Sequence, residues 1–159
     1  KDLRGVLNEA ASHSGTSFVE IFQNCNIFND GAFAQITERK TRDQTAIHVT
    51  HGEPLVFGGK SIPQMGIRLD PKTLTLETFE INEEHPIEDA IVHDETNEGL
   101  AMLLARMAPP MPVAMGVIFR VQRPTYEAQV HAQIEEAKSR AGKADLNRIL
   151  QEGNTWTVE

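Results

Sequence analysis

The residues best suited to chemistry lie in one run, Gln23-Asn24-Cys25-Asn26-Ile27-Phe28-Asn29-Asp30-Gly31. Its cysteine is the sole thiol of the chain. As a thiolate it can attack an electrophile or ligate a metal. Asn and Asp tolerate left-handed backbone and bond nearby N–H groups, so the run can bend sharply. The plainer reading is a tight turn around a buried Cys, because free Cys commonly serves as a small core hydrophobe. A nucleophilic role needs a histidine within hydrogen-bond reach of Cys25, and no protease signature surrounds it. A metal role needs more ligands than one thiolate; a 4Fe–4S cluster takes four, so three would come from residues outside this sequence.

Histidines offer a second set of chemistries. His48 and His51 are three apart, which on a strand places them on opposite faces, unable to share a metal easily. His85 and His93 flank a stretch with Glu83, Glu84, Glu88, Asp89, Asp94 and Glu95. Such a stretch can hold a divalent cation, but a solvated acidic surface is the plainer reading. No HExxH, GxSxG or P-loop pattern is present. Arg120 and Arg123 flank an expected strand end and suit either an anionic group or surface ion pairs. Arg39, Lys40 and Arg42 form a basic cluster that suits a partner contact or a solvated loop.

The elements that must position these residues follow from composition and periodicity. The chain has 159 residues, 15 basic and 23 acidic, for a formal charge of −8. That length suits one domain, or a domain with a smaller appendage. The negative balance argues against free nucleic acid as main partner, since phosphate binding needs a positive surface. One cysteine excludes an internal disulfide framework and fits a reducing, cytoplasmic compartment. No apolar run approaches the ~20 residues of a membrane helix, so no membrane partner is expected. The sequence starts Lys1-Asp2-Leu3-Arg4, charged and without Met, which is not a signal peptide and suits a chain that is processed, trimmed or part of a longer protein.

Leu3, Val6, Leu7 and Ala10 form an apolar stripe that predicts a helix over 1–13. Thr16 to Phe22 reads as a strand, and its near-continuous apolar run predicts a strand covered on both faces of a parallel sheet. The Cys25 run would then sit at a strand's carboxyl end, where α/β sheets gather ligands. Over 44–82, short apolar runs including Ile47-His48-Val49 alternate with turn signals, predicting a small antiparallel excursion. Asp70-Pro71-Lys72-Thr73 reads as its hairpin turn. Leu100, Leu103, Leu104 and Met107 predict a helix stopped by Pro109-Pro110. Met115 to Val121 reads as another buried strand. A helix opens at Pro124 with Tyr126, Val130, Ile134 and Ala137 on one face, suited to a partner subunit or its own sheet. A last short helix starts near Asp145, and Trp156 is expected to dock on its own core or on a partner. The chain divides into 1–43 with the Cys25 loop, 44–82 as the antiparallel excursion, and 83–159 as a C-terminal α/β segment with a helical tail.

The stretch from Gly15 through Gly31 resembles the β subunit of 2-oxoacid:ferredoxin oxidoreductases, most closely the 2-oxoglutarate form. The similarity continues through Lys40-Thr41-Arg42-Asp43, His51-Gly52-Glu53-Pro54, Val92-His93-Asp94-Glu95 and Gly116 to Tyr126. The resemblance implies an α/β fold, the C-terminal part of a thiamine-diphosphate-binding-type parallel sheet with the antiparallel excursion inserted. It implies oxidative decarboxylation of 2-oxoglutarate with CoA to succinyl-CoA, electrons passing through a 4Fe–4S cluster to ferredoxin. Pyruvate or another 2-oxoacid is the alternative substrate. It makes Cys25 the fourth thiolate ligand, with Asn24, Asn26 and Ile27 amides as candidate donors to cluster sulfurs. It implies thiamine diphosphate, Mg2+, an α subunit and the upstream half of the β subunit as partners. That half carries the family's other cluster cysteines and its Gly-Asp-Gly…Asn motif, both absent here, so the chain alone is expected to be inactive and poorly stable. A reading from another class is a non-catalytic assembly or interaction domain with Cys25 merely buried.

Overall fold

The computed structural model describes residues 2–153 with Trp156 and Val158. Residues up to Gln122 form one compact unit and those from Arg123 onward a second. In the first unit, helix α1 (Asp2–Ser12) follows the expected stripe. The next regular elements are single helical turns, α2 (Ala34–Thr37) and α3 (Arg42–Thr45). Strand β1 (Ala46–Val49) comes next, then β2 (Val56–Gly58), β3 (Gln64–Leu69) and β4 (Leu76–Glu80). Helix α4 (Glu98–Ala105) leads to strand β5 (Val113–Gly116).

The fold is mixed α/β, with a parallel pair β1–β5 and a separate antiparallel sheet in the order β2-β3-β4. This is the expected class, with three corrections in its detail. Residues 16–22 form no strand, and Phe18 there is 91% exposed. A strand exists only through a ladder with a neighbour, and none of the described residues pairs with this segment in a ladder. Ile47-His48-Val49 lies in the parallel pair rather than the antiparallel excursion, with Ala46 opposite Val113 and Val49 opposite Gly116. The late strand ends at Gly116 rather than spanning Met115 to Val121. At Gly116 the backbone turns to φ +119°, which takes the chain out of the ladder.

Alternation in β1 buries Ile47 and Val49 and leaves His48 exposed. Those two side chains meet Leu55, Ile67, Leu100 and Leu104 in the core. Asn97 caps α4, its Oδ1 accepting the Leu100 N–H at 3.0 Å, which aims Leu100 and Leu104 at that core. Asp70 organises the β3–β4 turn as expected: its carboxylate accepts the Lys72 amide and the Thr73 hydroxyl, each at 2.8 Å. Those two donors and the Thr73 amide hold its carboxyl below the usual range, the Lys72 amide most strongly. Arg68 and Glu77, opposite one another on β3 and β4, pair at 2.7 Å, and the Arg68 guanidinium lies 5.1 Å from the Phe79 ring centre.

The second unit consists of α5 (Tyr126–Ala141) and α6 (Leu146–Gln151), capped by Thr125 and Asp145. Neither helix has a buried residue. Tyr126 is exposed, Val130 is half-buried, and Leu146, Ile149 and Leu150 are exposed on α6. Trp156 is 84% exposed. No helix of the described residues is long and apolar enough to cross a membrane.

Candidate functional site

The Cys25 loop is built by its own polar residues. Asn29 N–H donates to the Cys25 carbonyl at 3.0 Å, closing a five-residue turn. The Asn24 carboxamide spans the whole run: its Oδ1 accepts the Gly31 N–H at 2.8 Å. Its Nδ2 donates to Asn26 Oδ1 at 3.0 Å and to Asp30 Oδ1 at 2.9 Å. Gly31 reaches that bond at φ +76°, a conformation that favours glycine. Beyond it, Phe33 packs on Phe22 with ring centres 5.0 Å apart. A cavity of about 320 Å³, lined in part by Asn24, Gly31, Thr37 and Glu38, adjoins the loop.

Cys25 is half-buried within this loop. The amide of Phe28 and then that of Ile27 hold the thiol below its ordinary range, with a smaller contribution from Asn29. Donation to sulfur favours the thiolate, the form that ligates metals. Ile27 is one of the candidate amides named from the sequence, whereas Phe28 and Asn29 were not foreseen. Asn24 and Asn26 contribute side chains to the loop. Only backbone direction distinguishes these roles, and no residue type signals it.

A single thiol can supply at most one of the four thiolates that a 4Fe–4S cluster takes. The described residues contain no group of three or more His, Cys, Asp or Glu placed to hold a metal ion. The chain therefore fits as one contributor to a cluster and not as its sole container. The same finding leaves the acidic histidine stretch without a cation site. There, His85 Nδ1 lies 3.6 Å from Asp89.

A second constellation gathers beyond the carboxyl ends of β1 and β5. His93 is 1% exposed, and its Nε2–H donates to the Val117 carbonyl at 2.9 Å. Its backbone ties to Gly52 and Glu53, at 2.8 and 2.9 Å, so one residue joins three segments. His93 Nδ1 is buried without a hydrogen-bond partner. His51 Nδ1 accepts the Glu95 N–H at 3.2 Å and lies 3.8 Å from Asp94. The Asp94 carboxyl is held below its usual range, first by the Thr96 hydroxyl and amide, then by the nearby His51 and His93. Arg120 sits between Glu95 at 3.3 Å and Glu9 at 2.9 Å. It is thus engaged in surface ion pairs. The sequence separated His51 from His93 and gave no sign that the fold brings them to one end of the sheet.

Asp43, next to the basic cluster, accepts the Ser61 amide at 2.7 Å and the Ser61 hydroxyl, tying α3 to the β2–β3 connection. These bonds, the hydroxyl first, hold its carboxyl below the usual range.

No family model and no solved structure matches the chain. Among curated proteins, it is 32% identical over 166 residues to the 2-oxoglutarate oxidoreductase subunit KorB of Mycobacterium tuberculosis strain H37Rv. The match covers 99% of this chain and 42% of that protein, so the chain spans less than half the length of its curated relative. That share is consistent with the C-terminal half of a β subunit, as the resemblance of the Gln23–Gly31 run implies. Over nearly its whole length the chain is thus similar to a portion of a 2-oxoglutarate oxidoreductase subunit.

Proposed function

We propose that this chain acts within the β subunit of a 2-oxoglutarate:ferredoxin oxidoreductase and that Cys25 gives one thiolate to a 4Fe–4S cluster. The observation that carries the reading is the Cys25 loop, a closed turn that bears the sole thiol of a chain similar to an oxidoreductase subunit. When bound, the cluster supplies one-electron transfer toward ferredoxin. Cys25 holds it in place, and the amides of Phe28 and Ile27 stabilise negative charge on the sulfur. The reaction so assigned is oxidative decarboxylation of 2-oxoglutarate with CoA to succinyl-CoA. Thiamine diphosphate and Mg2+ are held by residues outside this sequence, which has no Gly-Asp-Gly…Asn motif. The partners are an α subunit, the remaining part of the β subunit and ferredoxin.

The test uses the native complex that contains this chain, purified without oxygen. Iron and sulfide are measured together with CoA-dependent reduction of ferredoxin by 2-oxoglutarate or by pyruvate. The reading expects a 4Fe–4S cluster that is lost or altered in Cys25→Ser, and faster reduction with 2-oxoglutarate. Preference for pyruvate keeps the family and changes the substrate. An intact cluster with undiminished reduction in Cys25→Ser overturns the ligand role.

The exposed apolar side chains favour a second reading, an assembly domain. Phe18, Ile27 and Phe28 are 91%, 84% and 89% exposed, well beyond what a solvated loop needs. An iron-free complex that falls apart when these residues become polar supports that reading instead.

A further inference from the structure

We propose that Arg39, Lys40, Arg42 and Lys60 form a docking surface for an acidic protein that takes electrons from the complex, a role that rests on the ferredoxin reduction proposed above. The chain has 23 acidic and 15 basic residues, so a cluster of cations runs against its trend. Two segments make this one. Arg39, Lys40 and Arg42 follow α2 and enter α3, and Lys60 lies between β2 and β3. All four are exposed. The ion pairs of the described residues involve other cations, among them Arg68, Arg120, Lys138, Arg140 and Arg148, each set against a glutamate. Glu38 and Asp43 are the acids beside the cluster, two against four, so the region stays positive.

The cations are held together by the fold. The Thr41 and Thr45 hydroxyls both donate to the Gln35 carbonyl, at 2.7 and 2.6 Å, and the Arg42 N–H donates to the Glu38 carbonyl at 3.0 Å. Asp43 accepts the Ser61 amide at 2.7 Å and the Ser61 hydroxyl, which binds the segment of Lys60 to α3. Charge is also segregated along β1. The strand begins directly after α3, so the cations lie toward its amino end. Glu9, Asp94 and Glu95 gather with Arg120 and His51 beyond its carboxyl end. Such a field draws an anionic partner to one end of this unit.

The exposure of the cations narrows the partner. A small phosphate ligand is held in a concave site that buries most of it, and none of these four side chains is buried. A protein interface instead combines apolar contact with a polar rim. The loop with the exposed Ile27 and Phe28 borders the same cavity as Thr37 and Glu38, through Asn24 and Gly31. An acidic protein therefore meets apolar side chains near a cationic edge. Exposed charges of this kind set association rate and salt dependence more than final affinity, which suits a partner that must leave after each transfer.

The native complex is prepared with Arg39→Glu plus Lys40→Glu, with Arg42→Ala plus Lys60→Ala, and with Lys72→Glu plus Lys143→Glu, the last pair being exposed cations elsewhere on the chain. Reduction of a ferredoxin of net negative charge is followed against ionic strength, beside reduction of methyl viologen, a small dye that needs no docking surface. The native mass of each complex is recorded. The expected result is a ferredoxin KM about tenfold higher in the first pair at low salt, with the gap closing as salt screens the charges. The alanine pair shows a smaller rise, and the remote pair matches wild type. Ferredoxin kcat, dye reduction and native mass stay unchanged throughout. Should the reversal pair fail to assemble, the alanine pair decides. An unchanged KM and salt slope in both patch pairs overturns the docking surface while dye reduction leaves the proposed activity standing. An equal rise in the remote pair traces the effect to net charge and overturns it too. A raised KM for CoA alone assigns the cations to a phosphate ligand instead, and a complex that falls apart in both patch pairs assigns them to a permanent subunit contact. A wild-type complex that reduces neither ferredoxin nor dye with a 2-oxoacid removes the proposed activity, and the docking role with it.

Discussion

Gly116 joins the parallel pair to the loops beyond it, and its replacement by alanine tests how that end of the sheet is built. At φ +119° it occupies a region that side chains rarely adopt. It lies opposite Val49, and a Cβ built on it would stand 2.6 Å from the Val49 carbonyl oxygen. That oxygen belongs to the backbone of β1 and cannot rotate away, so the strands must separate or the turn must reshape. Conformational strain of this kind costs about 1–3 kcal/mol. Forcing atoms into a filled site adds about 1–3 kcal/mol. Gly52→Ala is the matched control: φ is +81° and nothing lies within 4 Å of the added carbon. It carries only the left-handed penalty of about 1–2 kcal/mol. The expected excess for Gly116→Ala over Gly52→Ala is therefore about 2 kcal/mol. For a unit of this size that corresponds to roughly 6–10 °C in melting temperature. Urea unfolding of the full chain, followed by circular dichroism, measures both variants against wild type. Equal losses within about 0.5 kcal/mol, at unchanged urea slope, would refute the close approach of β5 to β1.

Other outcomes follow from the same structure. Ile67→Ala, at a fully buried position, should cost about 2–5 kcal/mol in urea unfolding. Asn97→Ala removes the cap of α4 and should cost about 1 kcal/mol, with Asn97→Asp retaining most of it. The depressed carboxyl of Asp70 makes a stabilising contribution that is present above the unfolded Asp value of about 3.9 and disappears as pH falls through the lower folded value. Urea midpoints measured down through that window should fall less steeply for Asp70→Asn than for wild type; parallel curves would remove the turn carboxylate from the acid response.

Local features were legible in the sequence because local forces make them. The stripe of Leu3, Val6, Leu7 and Ala10 gave α1, and the last short helix starts at the expected Asp145, whose side chain accepts two amides. The Asp70-Pro71-Lys72-Thr73 turn needs only its own side chains and the two strands beside it. The Gln23–Gly31 run was legible as a likeness, since residue identity alone carries that, and the curated relative agrees with it.

What the sequence determined by itself was therefore the longer helices, the Asp70 turn, the fold class and the likeness to a known subunit. Tertiary structure alone decided which strands exist. Ile47 to Val49 became a strand because Val113 to Gly116 lies beside it, 67 residues further along between Ala46 and Val113, whereas the equally strand-like Thr16 to Phe22 has no such neighbour among the described residues. It also decided that His51, His93 and Arg120 share one end of the sheet, and that the Asn24 carboxamide spans the Cys25 loop. The physical reason is common to all three. Strand pairing and backbone direction depend on which groups stand opposite in space, and the residue types along one segment do not record that.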